Sequence, residues 1–160
     1  MNFPTSVKSG FSNYANFKGR ASRSEFWWFI LFSQLVQTVA QQVSGSTGAI
    51  AWFALLVPGL SVHVRRLHDS GRSLRWLLWL VASLVGVAIA FAGLLTQTAQ
   101  TIANLDAEQL FDNGSQFWIF VMFISIISLV IGSVVNFVFL LMPSDSEMNQ
   151  YGPPPAPSTI

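Results

Sequence analysis

The residues best able to do chemistry fall in two short polar segments. The sequence at positions 64–73 is VRRLHDSGRS, and the sequence at positions 19–26 is GRASRSEF. Guanidinium groups pair with phosphate and carboxylate oxygens through several donors at once, so two such segments predict an anion site. The candidate residues for binding an anion or a lipid headgroup are Arg20, Arg23, Arg65, Arg66, His68, Asp69 and Arg72.

A catalytic reading of the same cluster is the first alternative. His68 beside Asp69 could serve as an acid-base pair in an enzyme acting on a lipid-linked or phosphorylated substrate. No nucleophile or second acid at a recognisable spacing completes such a mechanism, so no catalytic residue is assigned. His63 and His68 do not share a helix face, and the chain has no cysteine. We therefore expect neither a metal site nor a cofactor.

Local structure offers a second interpretation of these residues. Ser22 and Glu25 have the spacing of a capping box before an apolar run. A helix that continues to Asp69 would place Arg65 and Asp69 four residues apart, where they can pair. Gly71 could then end that helix in a left-handed conformation, and Ser73 could cap the next helix. In that interpretation the arginines simply anchor the chain at the membrane surface.

Composition shows what must position these segments. Apolar residues make up 52% of the 160 residues, and charged residues only 9%, against about 25% in soluble domains. Four stretches lack Lys, Arg, Asp and Glu, and a helix needs ~20 residues to cross a bilayer. They predict an all-α integral membrane bundle of four transmembrane helices in a single membrane domain over residues 1–152. The predicted spans are 26–43, 49–64, 76–95 and 117–142.

The distribution of charge predicts the orientation. All eight basic residues lie in segments 1–25 and 65–75, whereas the long loop 96–116 carries Asp106, Glu108 and Asp112. By the positive-inside rule, the N-terminus and the C-terminus are cytoplasmic. The net charge of +1 does not favour nucleic acid as a partner. Segment 1–25 has no apolar core, so a cleavable signal peptide is not expected.

Patterns within the spans predict how the helices pack. Phe11, Tyr14 and Phe17 suit a short N-terminal interfacial helix, and Pro58-Gly59 predicts a break or kink in the second span. Small or polar residues repeat at helical spacing on the other spans, which predicts that these stripes face each other. A polar pore is the functional alternative. The stripes are Gln34, Gln37 and Gln41; Ala82, Gly86 and Ala90; and Ser125, Ser128, Gly132 and Asn136.

The C-terminal segment contains five prolines between Pro143 and Pro157. We predict that residues 153–160 form a proline-rich disordered tail, because proline cannot continue a helix. We expect the polar residues before this tail to fold back on the arginine segment, with Asp145 or Glu147 near an arginine. A polyproline ligand for a cytoplasmic partner is the alternative.

Three motifs in this order resemble the signature segments of the YhaH/YhaI-type family. They are FKGRASRSEFW at 17–27, RRLHDSGRS at 65–73 and NQYGP at 149–153. The members of this family are small bacterial inner-membrane proteins, and the family is classed as a domain of unknown function. The resemblance implies a multi-pass protein of the bacterial inner membrane, although the 96–116 loop is longer than is usual there. Motif residues with a predicted structural role are Gly19, Ser22, Glu25, Gly71, Ser73, Asn149 and Gly152.

The leading functional hypothesis is binding of anionic phospholipid, or another membrane-associated anion, at an arginine-rich cytoplasmic face. The enzyme described above is one alternative. A membrane scaffold or assembly subunit is the other, in which the spans bind other membrane proteins or a second copy of the chain. The partners expected are therefore membrane lipids and membrane proteins.

Overall fold

The structure is a computed structural model, and it describes residues 1–103 and 113–155. These residues form five helices and no strand, which confirms the all-α prediction. The acidic residues of the predicted 96–116 loop and the end of the proline-rich tail lie outside the described residues. The helices are α1 (Phe3–Ser12), α2 (Arg23–Val43), α3 (Gly45–Asp69), α4 (Arg75–Ala103) and α5 (Asn113–Leu141).

Three of these helices, α3, α4 and α5, are long and apolar enough to cross a membrane. The first predicted span, 26–43, corresponds to α2, which is 21 residues long but carries Ser33 and the glutamine stripe and is less hydrophobic than the other three helices. The helices also extend beyond the predicted spans. In particular, α4 continues to Ala103 and α3 continues to Asp69.

The chain divides into two compact units. Residues Met1–Leu74 and Val138–Ile160 form the first, and residues Arg75–Phe137 form the second. The first unit contains α1, α2, α3 and the end of α5, and the second contains α4 and most of α5. The prediction of one membrane domain over residues 1–152 stays a prediction.

Helix α1 begins earlier than the aromatic spacing predicted. Asn2 caps it by accepting a hydrogen bond from the Thr5 amide at 3.1 Å. The helix ends at Ser12, so Tyr14 and Phe17 lie beyond it and the three aromatics do not form one helical stripe. Gly10 packs so closely on the Phe29 ring that an added Cβ would overlap it. This close approach holds α1 against α2.

Helices α2 and α3 form a hairpin with a one-residue connection. Ser44 is the C-cap of α2 and the N-cap of α3, and its hydroxyl accepts from the Thr47 amide at 3.1 Å. The Gln37 side-chain nitrogen donates to the Gly48 carbonyl at 3.1 Å. A glutamine of the predicted stripe therefore stabilises the hairpin near its turn.

Pro58 lies inside α3 without ending it. Proline has no amide hydrogen, so the carbonyl of Ala54, four residues earlier, loses its helical donor. The Tyr14 hydroxyl donates to that carbonyl at 2.8 Å. The Ser61 hydroxyl, one turn further along α3, donates to the carbonyls of Asn13 and Asn16 at 2.8 Å each. The segment after α1 is therefore hydrogen-bonded to α3 in the region where the proline interrupts the backbone hydrogen bonds of that helix.

In the second unit, the small-residue stripe of α4 meets the polar stripe of α5, as predicted. A Cβ added at Gly86 would lie 2.6 Å from the Ser125 hydroxyl oxygen. Ser128 accepts a hydrogen bond from the Trp79 indole at 2.8 Å and lies 2.9 Å from the Ser83 hydroxyl. Packing of small residues and short polar contacts thus joins these two helices.

Tyr14→Phe removes the donor to Ala54 and is expected to lower the free energy of unfolding by about 1 kcal/mol. Pro58→Ala restores an amide at position 58, which can bond the Ala54 carbonyl within the helix. In that background the cost of Tyr14→Phe should fall close to zero. A double-mutant cycle measured by unfolding in mixed detergent micelles checks this, and an equal cost in both backgrounds would contradict it.

Candidate functional site

The polar core of the first unit is an arginine–aspartate cluster formed by Arg20, Arg66 and Asp69. Arg66 and Asp69 lie one turn apart at the end of α3, and Arg20 comes from the loop before α2. Arg20 Nε donates to Asp69 Oδ1 at 2.9 Å, and an Arg66 nitrogen pairs with Asp69 Oδ2. None of the three side chains is more than 1% exposed. One carboxylate therefore neutralises part of the charge of two buried guanidinium groups.

Arg66 also holds the end of α5. Its Nε and a terminal nitrogen donate to the Leu140 carbonyl at 3.1 and 3.0 Å, and that terminal nitrogen also donates to the Met142 carbonyl. Carbonyls in the last turn of a helix have no helical donor. Arg66 supplies those donors with a charged group, which makes the bonds stronger than neutral ones.

Arg20 binds the segment that follows α5. One terminal nitrogen donates to the carbonyls of Glu147 and Gly152 at 2.7 and 3.3 Å, and the other donates to the Asp145 carbonyl. The Asp145 amide in turn donates to the Asp69 carbonyl at 3.2 Å. The prediction that this segment folds back on the arginines is confirmed. The contacts are made by backbone carbonyls, while the acidic side chains stay exposed.

The third motif forms a tight turn on the end of α3. Asn149 and Gly152 exchange backbone hydrogen bonds at 3.2 and 3.0 Å, and Gly152 has a φ of 121° that other residues rarely adopt. The Asn149 side chain donates to the His68 carbonyl at 3.0 Å. The Tyr151 ring stacks on the His68 ring with centroids 3.7 Å apart and an angle of 4°. His68 is thereby enclosed.

Two glycines with positive φ angles permit the turns of the backbone around the cluster. Gly71 has a φ of 70°. The amides of Gly71 and Arg72 donate to the carbonyls of His68 and Leu67 at 3.0 and 2.9 Å, which is a Schellman motif. The predicted left-handed end of this helix is confirmed. Gly19, with a φ of 83°, presents its carbonyl to His68 Nδ1 at 3.3 Å.

A second buried ion pair lies beside the cluster. Arg65 pairs with Glu25 at 2.9 Å, and the Ser9 hydroxyl donates to the same Glu25 oxygen at 2.8 Å. The predicted pairing of Arg65 with Asp69 is therefore wrong, because both Asp69 oxygens bind other arginines. Ser22 caps α2 as predicted, through the Glu25 amide at 3.2 Å. The Glu25 side chain, however, pairs across to α3.

Two candidate arginines are more accessible. Arg23 is exposed, and one of its terminal nitrogens donates to the Leu141 carbonyl at 3.3 Å. The half-buried Arg72 guanidinium lies 4.5 Å from the centre of the Phe139 ring, a cation–π contact.

Some buried donors have no hydrogen-bond partner among the described residues. They are Nε of Arg72, and Nε and one terminal nitrogen of Arg65.

This arrangement limits what the cluster can do chemically. Both oxygens of Asp69 accept from guanidinium groups and its side chain is fully buried, so neither oxygen is accessible to take a proton from a substrate. The His68 ring is stacked on one face and bonded at one nitrogen. No group of three metal-ligating side chains occurs in the part of the chain that the structure describes.

Sequence analysis did not identify Ala54, Leu140 and Met142. These residues make their contacts through backbone carbonyls, which every residue type carries, so the sequence gives no signal for them.

Comparison with known proteins gives consistent matches. The family described as "Protein of unknown function (DUF805)" matches residues 14–105, more than half of the chain. The inner membrane protein YhaI of Escherichia coli (strain K12) is 32% identical over 81 residues, which cover 46% of this chain and 69% of the relative. The inner membrane protein YhaH of the same strain is 35% identical over 85 residues, covering 46% and 70%. No solved structure matches.

Asp69→Asn should lower the free energy of unfolding by about 3–5 kcal/mol, because it leaves two buried guanidinium groups without a counter-charge. Limited proteolysis should also cut between residues 143 and 152 more quickly, since Arg20 and Arg66 position that segment. Glu147→Gln is the matched control, as its side chain is exposed. A similar loss of stability in both variants would contradict this role of Asp69.

Proposed function

The chain belongs to the DUF805 family of proteins of unknown function, and from that premise we propose that it binds anionic phospholipid at a cationic cytoplasmic surface. The resemblance found in the motifs is confirmed over residues 14–105. The relatives YhaI and YhaH are inner membrane proteins. Together with three helices able to cross a membrane, this makes the chain a multi-pass protein of the inner membrane.

The proposal includes four spans, with α2 as the first. Its 21 residues extend about 31 Å at 1.5 Å per residue, which matches a hydrocarbon core of about 30 Å. The tight turn at Ser44 places α2 antiparallel to α3, so the two helices cross the bilayer as one hairpin. With an even number of spans, both termini lie on the same side. The basic residues in segments 1–25 and 65–75 then face the cytoplasm.

The observation that carries the lipid proposal is that six of the eight basic residues fall into two groups. Arg20, Arg65 and Arg66 are buried in internal ion pairs. Lys8, Lys18 and Arg23 are exposed, and no carboxylate of the described residues pairs with them. The first group supports the fold, and the second remains available to anions. Each cation near an anionic surface contributes about 1 kcal/mol.

Aromatic residues accompany the exposed cations. The side chains of Phe11 and Phe17 are 42% and 41% exposed, and those of Trp27 and Trp28 are 37% and 39% exposed. Such rings favour the headgroup level of a membrane. This composition supports a surface that lies at the interface, with cations beside the lipid phosphates.

The anion-binding set therefore changes from the one expected from sequence. We assign headgroup contact to Arg23 and Arg72, with Lys8 and Lys18 added. The buried residues that position this cationic surface are Arg20, Arg65, Arg66, His68 and Asp69. The alternative of an enzyme that uses His68 and Asp69 has less support, because Asp69 is already engaged with two arginines.

The topology can be tested with single cysteines, because the chain has none of its own. Ser12→Cys, Ser46→Cys and Ser146→Cys place a thiol at exposed positions before α2, at the hairpin turn and after α5. A membrane-impermeant maleimide should label position 46 in spheroplasts, and positions 12 and 146 in inverted vesicles. If positions 12 and 46 react from the same side, α2 does not span the membrane and the four-span proposal fails.

Lipid binding can be tested in nanodiscs of equal parts phosphatidylglycerol and phosphatidylcholine. Native mass spectrometry should find phosphatidylglycerol enriched on the wild-type protein. Lys8→Gln/Lys18→Gln/Arg23→Gln should reduce that enrichment at least fivefold, because it removes three cations from the interface. The unfolding midpoint should stay the same, since these side chains are exposed.

Glu147→Gln is the control, because it changes the charge of the same unit by one in the opposite direction. It should keep or increase the enrichment. An unchanged enrichment in the triple variant would overturn the proposal and leave the exposed cations as determinants of topology only.

A further inference from the structure

The segment that follows α5 forms a strap over the arginine–aspartate cluster. The strap consists of residues 143–152, and three of its backbone carbonyls accept hydrogen bonds from the terminal nitrogens of Arg20. Its Asn149 side chain donates to the His68 carbonyl at 3.0 Å, and its Tyr151 ring stacks on the His68 ring. Arg20 and His68 are both buried. The strap therefore covers two residues that the sequence predicted as anion ligands.

The contacts that hold the strap are few and mostly polar. None of residues 143–152 is buried, so the strap adds little apolar surface to the core. It is held by hydrogen bonds of its backbone, by the Asn149 amide and by one stacked ring. Segments held in this way open locally at a lower free energy than the packed helices beneath them. The strap can therefore open while α2 and α3 stay folded.

Arg20 divides its donors between the cluster and the strap. Its Nε donates to Asp69 Oδ1 at 2.9 Å, whereas the donors to the strap carbonyls are its two terminal nitrogens. Opening of the strap would leave the ion pair in place and free the terminal nitrogens. Parallel N–H groups on a planar guanidinium match two oxygens of a phosphate group. An open strap would therefore expose an anion site.

Charge favours an anion over the strap at this position. Arg20 and Arg66 share one carboxylate, that of Asp69, so the cluster carries an excess positive charge. The strap solvates this charge with neutral carbonyls, and the side chains of Asp145 and Glu147 are exposed. A hydrogen bond between two ionised groups is stronger than one to a neutral acceptor. A phosphate group is therefore a stronger acceptor for Arg20 than the carbonyls it would displace.

We propose that the strap is an autoinhibitory contact, in which its carbonyls occupy the Arg20 nitrogens that bind a phosphate group once the strap opens. The phosphate belongs either to a lipid headgroup or to a soluble phosphorylated compound. Both present the same oxygens to Arg20, so the experiment separates them. This site is distinct from the exposed cations of the proposed function and does not depend on them.

Competition between phosphate and the strap can be measured by hydrogen exchange. The full-length protein in phosphatidylcholine nanodiscs is compared in sodium phosphate and in sodium chloride of equal ionic strength. A third sample has phosphatidic acid in the nanodisc and only chloride in solution. Phosphate should speed amide exchange in residues 143–152 about three- to tenfold, because it binds only the open state. Exchange within α3 should be the same in all samples.

Variants of the strap test the same linkage from the other side. Tyr151→Ala removes the ring stacked on His68, so it should lower the phosphate concentration that gives half of the response about three- to tenfold. Asn149→Ala, which removes the bond to the His68 carbonyl, should act in the same direction. Gln150→Ala is the matched control, because its side chain is exposed on the same strap, and it should leave that concentration unchanged.

A response to inorganic phosphate would identify a soluble phosphorylated compound as a sufficient ligand, and a response to phosphatidic acid alone would identify a lipid headgroup. Strap exchange that responds to neither would overturn the proposal. An equal half-response concentration in the wild type, Tyr151→Ala and Asn149→Ala would also overturn it. The Lys8→Gln/Lys18→Gln/Arg23→Gln variant should respond to inorganic phosphate as the wild type does. Failure of the anionic-lipid proposal is therefore distinguishable from failure of this one.

Discussion

A single buried carboxylate is the constraint around which the first unit is arranged. Asp69 pairs with both Arg20 and Arg66, and none of the three side chains is more than 1% exposed. Two guanidinium groups and one carboxylate leave an excess positive charge, which is costly in a medium of low dielectric constant. That excess is solvated by the carbonyls of residues 140, 142, 145, 147 and 152. The end of α5 and the segment after it are therefore positioned because their carbonyls face buried cations.

The same demand for backbone partners explains the contacts around Pro58. In lipid, a carbonyl without a donor cannot turn to water. The Tyr14 hydroxyl bonds the carbonyl that Pro58 leaves without a helical partner, and Ser61 bonds two carbonyls of the loop after α1. A proline in a membrane helix is thus compatible with a continuous α3 because a neighbouring segment completes its hydrogen bonding.

The three motifs that carry the family resemblance come together in one place. The first contributes Gly19 and Arg20, the second contributes Arg66 and Asp69, and the third forms the turn on His68. Their charged and polar residues form ion pairs and hydrogen bonds largely with one another. This is why the proposed function concerns another part of the molecule, the exposed cations of the N-terminal region.

From sequence alone, the membrane class, the helical architecture, the cap at Ser22 and the left-handed Gly71 were predictable. They depend on composition, on hydropathy over windows of about 20 residues, or on interactions within one turn of chain. The partners of the arginines were not predictable in the same way. Sequence spacing favoured Arg65 with Asp69, and only the tertiary structure gives Arg65 to Glu25 and Asp69 to Arg20 and Arg66. Contacts between segments far apart in sequence, and bonds to backbone carbonyls that every residue carries, leave no mark on local spacing.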